Sequence, residues 1–103
     1  MSTMVEFSIV PMGKAVSISP VIADIMRIVI ASGVSYRTNP MGTILEGEWD
    51  AVMGVVKNCH DLVMKDAERA ITSIKIDDRK GKDARMDKKL EAVEQKLGRI
   101  LKK

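Results

Sequence analysis

The sequence predicts an α+β fold in which strands and helices follow one another as β-α-β-β-α-β, with an additional C-terminal helix. Four short segments alternate apolar and polar residues with the period of two that is typical of strands. Two segments between them, and one near the end, repeat apolar residues at helical spacing. This is the element order of ferredoxin-like βαββαβ sandwiches. Because helical crossovers are almost always right-handed, we expect one sheet with both of the first two helices on one face.

The first predicted element is a strand over residues 4–10. Its apolar residues occupy alternate positions and therefore share one face of a sheet: Val5, Phe7 and Ile9. The residues between them, among them Glu6 and Ser8, face the other way. The turn-forming residues from Pro11 to Gly13 end this strand.

The first helix is predicted to begin at Ser19, a favourable N-cap, followed by Pro20, which suits the first helical position. Its apolar residues recur at helical spacing: Val21, Ile22, Ile25, Ile28 and Val29. Gly33 is a typical residue at a helix C-terminus.

A β-hairpin is predicted next, from residues 34–38 and 43–48, around the turn Asn39-Pro40-Met41-Gly42. A second helix runs from Trp49 to about Ala67. Its apolar stripe consists of Val52, Val55, Val56, Cys59, Leu62 and Val63. The fourth strand covers residues 70–77, with Thr72, Ile74 and Ile76 facing the helices and Ser73, Lys75 and Asp77 facing away.

Charge divides the chain into an acidic body and a basic C-terminal segment. Residues 1–78 carry seven Lys and Arg against ten Asp and Glu, whereas residues 79–103 carry ten against four. The basic segment includes a charged loop and an amphipathic helix with a narrow apolar seam: Met86, Leu90, Val93, Leu97 and Ile100. This helix packs on its own domain or on a neighbouring subunit. Acidic residues among the basic ones favour a solvated face over a nucleic-acid surface.

Length and composition limit the class of protein. We expect residues 1–103 to form a single domain, since compact domains typically have ~100–150 residues. The single cysteine excludes an intrachain disulfide and a four-cysteine cluster within one chain. No stretch approaches the ~20 apolar residues that span a bilayer, and the N-terminal residues lack the basic start of a signal peptide. We therefore expect a cytoplasmic protein with no membrane partner, no metal and no cofactor.

Several functions of this architecture lack the residues that they need. RNA-recognition domains carry aromatic residues on their central strands, whereas the third strand here has none and adds negative charge. A Cys-x-x-Cys motif for copper is missing. Cys59 and His60 are neighbours in sequence but lie ~100° apart around a helix, so a core cysteine and a boundary histidine are favoured over a catalytic pair. We expect no catalysis.

The polar face of the predicted sheet is the candidate binding surface. It brings together carboxylates and hydroxyls: Glu6, Ser8, Glu46, Glu48, Ser73 and Asp77, with Lys75 and Ile44 among them. A carboxylate flanked by hydroxyls suits a small ligand that is cationic or bears an amine. The alternative is a face that is simply solvated or buried in an oligomer, since antiparallel sheets commonly have one polar face.

Three segments resemble a known family: Glu6-Phe7-Ser8-Ile9-Val10-Pro11-Met12-Gly13, Met41-Gly42-Thr43-Ile44-Leu45-Glu46-Gly47-Glu48 and Ile74-Lys75-Ile76-Asp77-Asp78-Arg79. Together they are similar to the small thiamine-binding family related to the YkoF thiamine/hydroxymethylpyrimidine-binding protein. The resemblance extends from about residue 4 to the last helix. It implies a ferredoxin-like fold, homo-oligomers, commonly tetramers built through the sheets, and binding of thiamine or a related pyrimidine without turnover.

The resemblance and the chemistry of thiamine together suggest site residues. An aminopyrimidine pairs with a carboxylate, for which Glu6 and Glu46 are candidates, and a positively charged thiazolium favours a nearby negative charge. Ser8 and Thr43 are candidate orienting hydroxyls. Tyr36, or Met41 in the turn, is a candidate for packing against a ring, although turn formation alone also accounts for Met41-Gly42. A structural or regulatory oligomeric module with no small-molecule ligand is the alternative function.

Overall fold

The structure is a computed structural model that describes residues 2–13, 18–81 and 86–101. Its elements are β1 (Thr3–Met12), α1 (Ile18–Ser32), β2 (Ser35–Asn39), β3 (Gly42–Gly47), α2 (Trp49–Met64), β4 (Arg69–Asp77) and α3 (Met86–Leu97). The four strands form one antiparallel sheet in the order β2-β3-β1-β4. The predicted α+β class, the element order and the additional C-terminal helix are confirmed.

The hydrophobic core lies between one face of the sheet and the two helices α1 and α2. Its buried members come from both layers: Val5, Phe7, Ile25, Val29, Leu45, Val52, Val55, Val56, Cys59 and Val63. The strand residues among them follow the predicted period of two. Apolar burial on this scale is the main favourable contribution to folding, at roughly 25 cal/mol per Å² removed from water.

The other face of the sheet, the open face, carries the polar set that the alternation predicts. Cross-strand register places Glu6 between Ile44 of β3 and Lys75 of β4. Glu6, Ser73 and Lys75 are exposed, and Ser8, Ile44 and Glu46 are half-buried. Glu48 is an exception, because β3 ends at Gly47 and Glu48 is the N-cap residue of α2, where its carbonyl accepts a hydrogen bond from the Val52 amide at 3.0 Å.

Several element boundaries differ from the sequence prediction, among them the end of α2, at Met64 rather than near Ala67. β1 continues through Pro11 to Met12. From Ser8 onward, β1 is hydrogen-bonded to β4 alone. Proline lacks an N–H group, and it is tolerated in a strand that has a neighbour on one side only. α1 includes Ser19 in its first turn rather than beginning after it. Its end is as predicted, at Gly33 with φ of 76°.

α3 ends in a glycine-capped turn. Gly98 adopts φ of 71°, and the carbonyl of Glu94 accepts hydrogen bonds from the amides of Gly98 and Arg99 at 2.8 and 3.2 Å. The apolar seam on this helix is largely exposed, with 46% of Val93 and 56% of Leu97 accessible to solvent. Met86, the first predicted member of the seam, lies outside the described side chains.

Candidate functional site

A notch in the sheet results from the unequal lengths of its strands. β1 pairs with β4 over residues 4–12 but with β3 only over residues 3–7, because β3 begins at Gly42. Beyond Phe7, the β3 side of β1 therefore has no strand beside it among the described residues. Residues 7–11 of β1, the β2–β3 turn and one side of α1 border this notch.

A cavity of about 180 Å³, the notch cavity, occupies this space. Its apolar walls include Ile22, Ile25 and Met26 of α1 together with Phe7 and Met41. Its polar groups come from Ser8, Thr38, Asn39 and Thr43. Every described residue that lines it is uncharged. It is smaller than the about 300–1,000 Å³ of drug-sized sites, so it suits a single small ring.

The turn that closes the notch cavity is held by local polar contacts. The Asn39 side-chain oxygen accepts a hydrogen bond from the Met41 amide at 2.8 Å, an Asx turn. The Thr38 hydroxyl donates to the Gly42 carbonyl at 3.4 Å. Gly42 lies so close to β1 that a Cβ there would be 2.9 Å from the Phe7 carbonyl oxygen. Only glycine lets the turn approach β1 this closely.

A second cavity of about 130 Å³, the Glu6 cavity, lies on the open face. It is lined by Glu6, Phe7, Ser8, Met41, Ser73, Ile74 and Lys75. Phe7, Ser8 and Met41 also line the notch cavity, so the two cavities adjoin at these residues. The open face continues from Glu6 into a larger hollow of about 480 Å³, which Met4 and Asp77 also line.

The six predicted ligand residues separate into two groups. Ser8 and Met41 line both cavities, Thr43 lines the notch cavity and Glu6 lines the Glu6 cavity. Tyr36 and Glu46 line neither. Tyr36 lies opposite Leu45 on the helix side of the sheet, and Glu46 lies opposite Met4 on the open face. The structure therefore brings together four of the six, around the turn and the middle of β1.

Thr43 lies on the opposite face of the sheet from Glu6 and Glu46. These three residues therefore do not form a single site on the open face. Side chains alternate between faces along a strand, and Thr43 stands three positions from Glu46. Thr43 is buried on the helix side, where its hydroxyl lies 3.7 Å from the Met26 sulfur. Thr43 therefore contributes to the predicted ligand region from the helix side of the sheet, where it lines the notch cavity.

Met26, Thr38 and Asn39 also line the notch cavity, although the sequence pattern does not predict this. The pattern places Thr38 and Asn39 in the hairpin and leaves Met26 outside the apolar stripe of α1. Met26 stands four residues after Ile22, and this spacing puts both on one side of the helix. Which side of α1 borders a cavity depends on where the β2–β3 turn contacts β1. That contact joins residues that are far apart in sequence.

Cys59 and His60 make unrelated contacts. The Cys59 sulfur is buried, 3.8 Å from the Ile25 carbonyl oxygen, and burial raises the pKa of its thiol to about 11. The thiol is therefore protonated near neutral pH and is a poor nucleophile. His60 Nδ1 lies 2.6 Å from the Thr72 hydroxyl, a hydrogen bond that joins α2 to β4. Neither residue lines the notch cavity or the Glu6 cavity.

Among the side chains that the structure describes, no group of three His, Cys, Asp or Glu is placed to hold a metal ion. Over residues 2–13, 18–81 and 86–101, no helix has the length and apolar character needed to cross a membrane.

Comparison with known families identifies the family to which the chain belongs. A family model described as "Thiamine-binding protein" matches residues 5–94. The chain belongs to this thiamine-binding protein family. The matched range contains every residue that lines the notch cavity and the Glu6 cavity.

Several relatives in this family are similar over nearly the whole chain. The UPF0045 protein MJ1052 of Methanocaldococcus jannaschii is 36% identical over 88 residues, 85% of this chain and 88% of that protein. The UPF0045 protein Mb1933 of Mycobacterium bovis is 35% identical over 98 residues, 94% of this chain and 96% of that protein.

Solved structures support both the fold and the family assignment. The crystal structure of MJ1052 matches with a TM-score of 0.82 at 35% identity, covering 89% of this chain and 95% of that one. A domain of unknown function from Bacillus cereus matches with a TM-score of 0.80 at 36% identity, covering 86% of each chain. A Thermotoga maritima protein that has been proposed to act in thiamine biosynthesis or salvage has a TM-score of 0.78 at 22% identity, over 90% of this chain and 99% of that one. At that identity, the match supports the fold.

Proposed function

We propose that this protein binds thiamine, or its hydroxymethylpyrimidine part, without chemical turnover, as a homo-oligomer of the cytoplasm, with four subunits as in the tetramers that the family resemblance implies. The description of its family supports the ligand class. The observation that carries the proposal is the uncharged notch cavity, of a size for one substituted ring, which adjoins a cavity lined by a carboxylate.

The aminopyrimidine ring suits the notch cavity because it is flat, neutral and polar at its edge. Apolar side chains from α1 and the turn would contact the two ring faces. The ring's amino group and nitrogens need acceptors and donors, which the Thr43 hydroxyl and the peptide groups of β1 beyond Phe7 can supply. A strand edge offers peptide donors and acceptors with fixed spacing, which favours one orientation of the ring.

The thiazolium ring of thiamine carries a positive charge that the notch cavity does not compensate. Glu6, a candidate partner of the pyrimidine on sequence grounds, lines the adjoining cavity instead, and we therefore assign its carboxylate to the thiazolium, close to where the second ring would emerge past Met41. Lys75 lies directly opposite Glu6 and weakens this attraction. Both side chains are exposed, so the electrostatic contribution is modest and depends on salt.

The absence of turnover is part of the proposal, and two contacts support it. Cys59 and His60, the residue types most often used as nucleophile and base, are held in the α1–α2 and α2–β4 contacts and do not line either cavity. The hydroxyls and carboxylate that do line the cavities can bind and orient a ligand.

Isothermal titration calorimetry tests the proposal with two ligands, thiamine and hydroxymethylpyrimidine. We expect saturable binding of both, with thiamine recovered unchanged after prolonged incubation. Hydroxyethylthiazole, which lacks the pyrimidine, is the matched control and is expected to bind much more weakly. No heat of binding from either pyrimidine at millimolar concentration, with a folded oligomer, would refute the proposal.

The alternative function is a structural or regulatory module whose sheet is used for self-association. The exposed isoleucines of β4 and the exposed seam of α3 favour it. Replacing Glu6 and Glu46 with alanine separates the two functions. Loss of assembly without any effect on a ligand favours the module, whereas weaker thiamine binding by an intact oligomer favours the binding protein.

A further inference from the structure

Two threonine hydroxyls that line the notch cavity both donate to groups of the protein. Thr38 lies directly opposite Thr43 in the β2–β3 ladder, so both side chains are on the helix side of the sheet. The Thr43 hydroxyl donates to the Met26 sulfur at 3.7 Å, and the Thr38 hydroxyl donates to the Gly42 carbonyl at 3.4 Å. A hydroxyl has one proton and two lone pairs. Because both protons are used in this way, both oxygens remain as acceptors for a ligand.

Met26 fixes the direction of the Thr43 proton. Thr43 is only 7% exposed, and Met26 is a half-buried residue on the side of α1 that borders the cavity. A thioether sulfur accepts hydrogen bonds weakly and cannot donate one, so the contact between these two side chains has a single polarity. The Thr43 hydroxyl is therefore the donor in this contact.

The main chain of β1 gives the notch cavity further acceptors. The Phe7 carbonyl points toward β3, since a Cβ on Gly42 would lie 2.9 Å from its oxygen but 3.7 Å from its carbon. Main-chain groups alternate in direction along a strand, so the N–H and C=O of Ile9 and the C=O of Pro11 also point to this side, into the notch. Proline has no N–H. This edge of β1 therefore offers one donor, from Ile9, and two carbonyl acceptors.

We propose that the notch cavity selects an aminopyrimidine over the corresponding oxopyrimidine, and that Met26 is a positioning residue for this choice because it holds the Thr43 proton away from the ligand. This selectivity deepens the proposed function and rests on it, because it concerns the same cavity. An amino group donates hydrogen bonds, whereas an oxo group only accepts them. Acceptors around the ring satisfy the amino group and leave the oxo group unpaired, which lowers affinity in a buried site.

The ring nitrogen beside the amino group adds to the selectivity. In an aminopyrimidine this nitrogen is an acceptor, and the Ile9 N–H is the donor that matches it. In the keto tautomer of an oxopyrimidine the same nitrogen carries a proton and would face that N–H, donor to donor. To pair with the oxo group, the Thr43 hydroxyl has to turn away from Met26 and give up its contact with the sulfur.

Calorimetric titration with thiamine and with oxythiamine, the analogue that has an oxo group in place of the amino group, tests this selectivity. We expect the wild type to bind thiamine at least roughly tenfold more tightly than oxythiamine. Met26→Leu nearly keeps the side-chain volume and removes the sulfur, which frees the Thr43 hydroxyl to donate to an oxo group. The ratio of the two affinities should then fall by roughly threefold or more.

Met53→Leu is the matched control, because Met53 is half-buried on α2 and lines neither cavity. It should leave the ratio unchanged, and circular dichroism checks that both variants are folded. Poorer packing in Met26→Leu would weaken both ligands together, so the ratio reports the direction of the Thr43 proton. The same ranking is expected with hydroxymethylpyrimidine and its oxo analogue, which lack the charged thiazolium.

The outcomes separate this inference from the proposed function. Equal affinity of the wild type for thiamine and oxythiamine, or an unchanged ratio in Met26→Leu, would overturn the selectivity while thiamine binding itself stands. Failure of the folded wild type to bind thiamine would refute the proposed function and the selectivity with it.

Discussion

Gly42 approaches Phe7 so closely that a methyl group on Gly42 would lie 2.9 Å from the Phe7 carbonyl oxygen. This contact fixes the β2–β3 turn against β1 and thereby shapes the notch cavity. We expect Gly42→Ala to lower the free energy of unfolding by about 1–3 kcal/mol, because backbone must move to admit the new atom. Thiamine binding should weaken as well, since the turn is displaced. Urea denaturation and calorimetric titration measure the two effects.

Gly54→Ala is the matched control for this substitution. Gly54 lies inside α2, and a Cβ there would meet nothing within 4 Å. Since alanine is the better helix former, we expect this variant to be more stable by up to about 1 kcal/mol, with unchanged binding. Equal stability of the two variants would contradict the packing described for Gly42.

Glu6 and Glu46 allow the electrostatic part of the proposal to be tested with matched variants. Both are on the open face, but only Glu6 lines a cavity next to the notch. We expect Glu6→Gln to weaken thiamine binding about two- to fivefold at low salt, the range for an exposed charge interaction, and to leave hydroxymethylpyrimidine binding unchanged. Glu46→Gln should affect neither ligand. The opposite ranking in calorimetric titrations would place the thiazolium elsewhere.

Thr43 tests the hydrogen bonding proposed inside the notch cavity. Thr43→Val keeps the shape of the side chain and removes its hydroxyl. If this hydroxyl contacts the pyrimidine edge, the affinity for both thiamine and hydroxymethylpyrimidine should fall roughly three- to tenfold. Tyr36→Phe, on the same side of the sheet but outside the cavity, serves as the comparison. An unchanged affinity of Thr43→Val would remove Thr43 from the site.

The buried thiol of Cys59 predicts a specific loss of stability at alkaline pH. Its pKa is raised from 9.0 to about 11 in the folded state, so the unfolded chain loses this proton first as the pH increases. The contribution of the neutral thiol is complete below pH 9 and should decline between pH 9 and 11 by about 1.4 kcal/mol per pH unit. Urea denaturation of the wild type and of Cys59→Ala across this range isolates the effect. A constant stability difference between the two proteins would contradict it.

Local patterns were sufficient to predict the order of the elements and the two faces of β1. The alternation of Val5 and Phe7 with Glu6 and Ser8 predicts which side of β1 is buried, because apolar burial dominates the free energy of folding. Tyr36 could not be assigned to a face in this way. β2 has no apolar alternation, and only its pairing with β3 places Tyr36 on the helix side.

The candidate site was only partly predictable, for two different reasons. The opposite directions of Thr43 and Glu46 follow from their odd separation in one strand and could have been inferred from the sequence. The notch could not, because it depends on where β3 stops beside β1, a register set by contacts between residues far apart in the chain. Met26 and Asn39 enter the site only through that register.

Methionine-methyl NMR during a thiamine titration is the most direct test of the central claim, that a pyrimidine ring binds in the notch cavity. Met26 and Met41 line this cavity, whereas Met53 and Met64 lie on α2 and line neither it nor the Glu6 cavity. The account predicts that the Met26 and Met41 methyl signals shift together and saturate, with thiamine and with hydroxymethylpyrimidine, while Met53 and Met64 remain unchanged. Saturable shifts confined to α2, or no shifts at millimolar ligand in the folded protein, would contradict it.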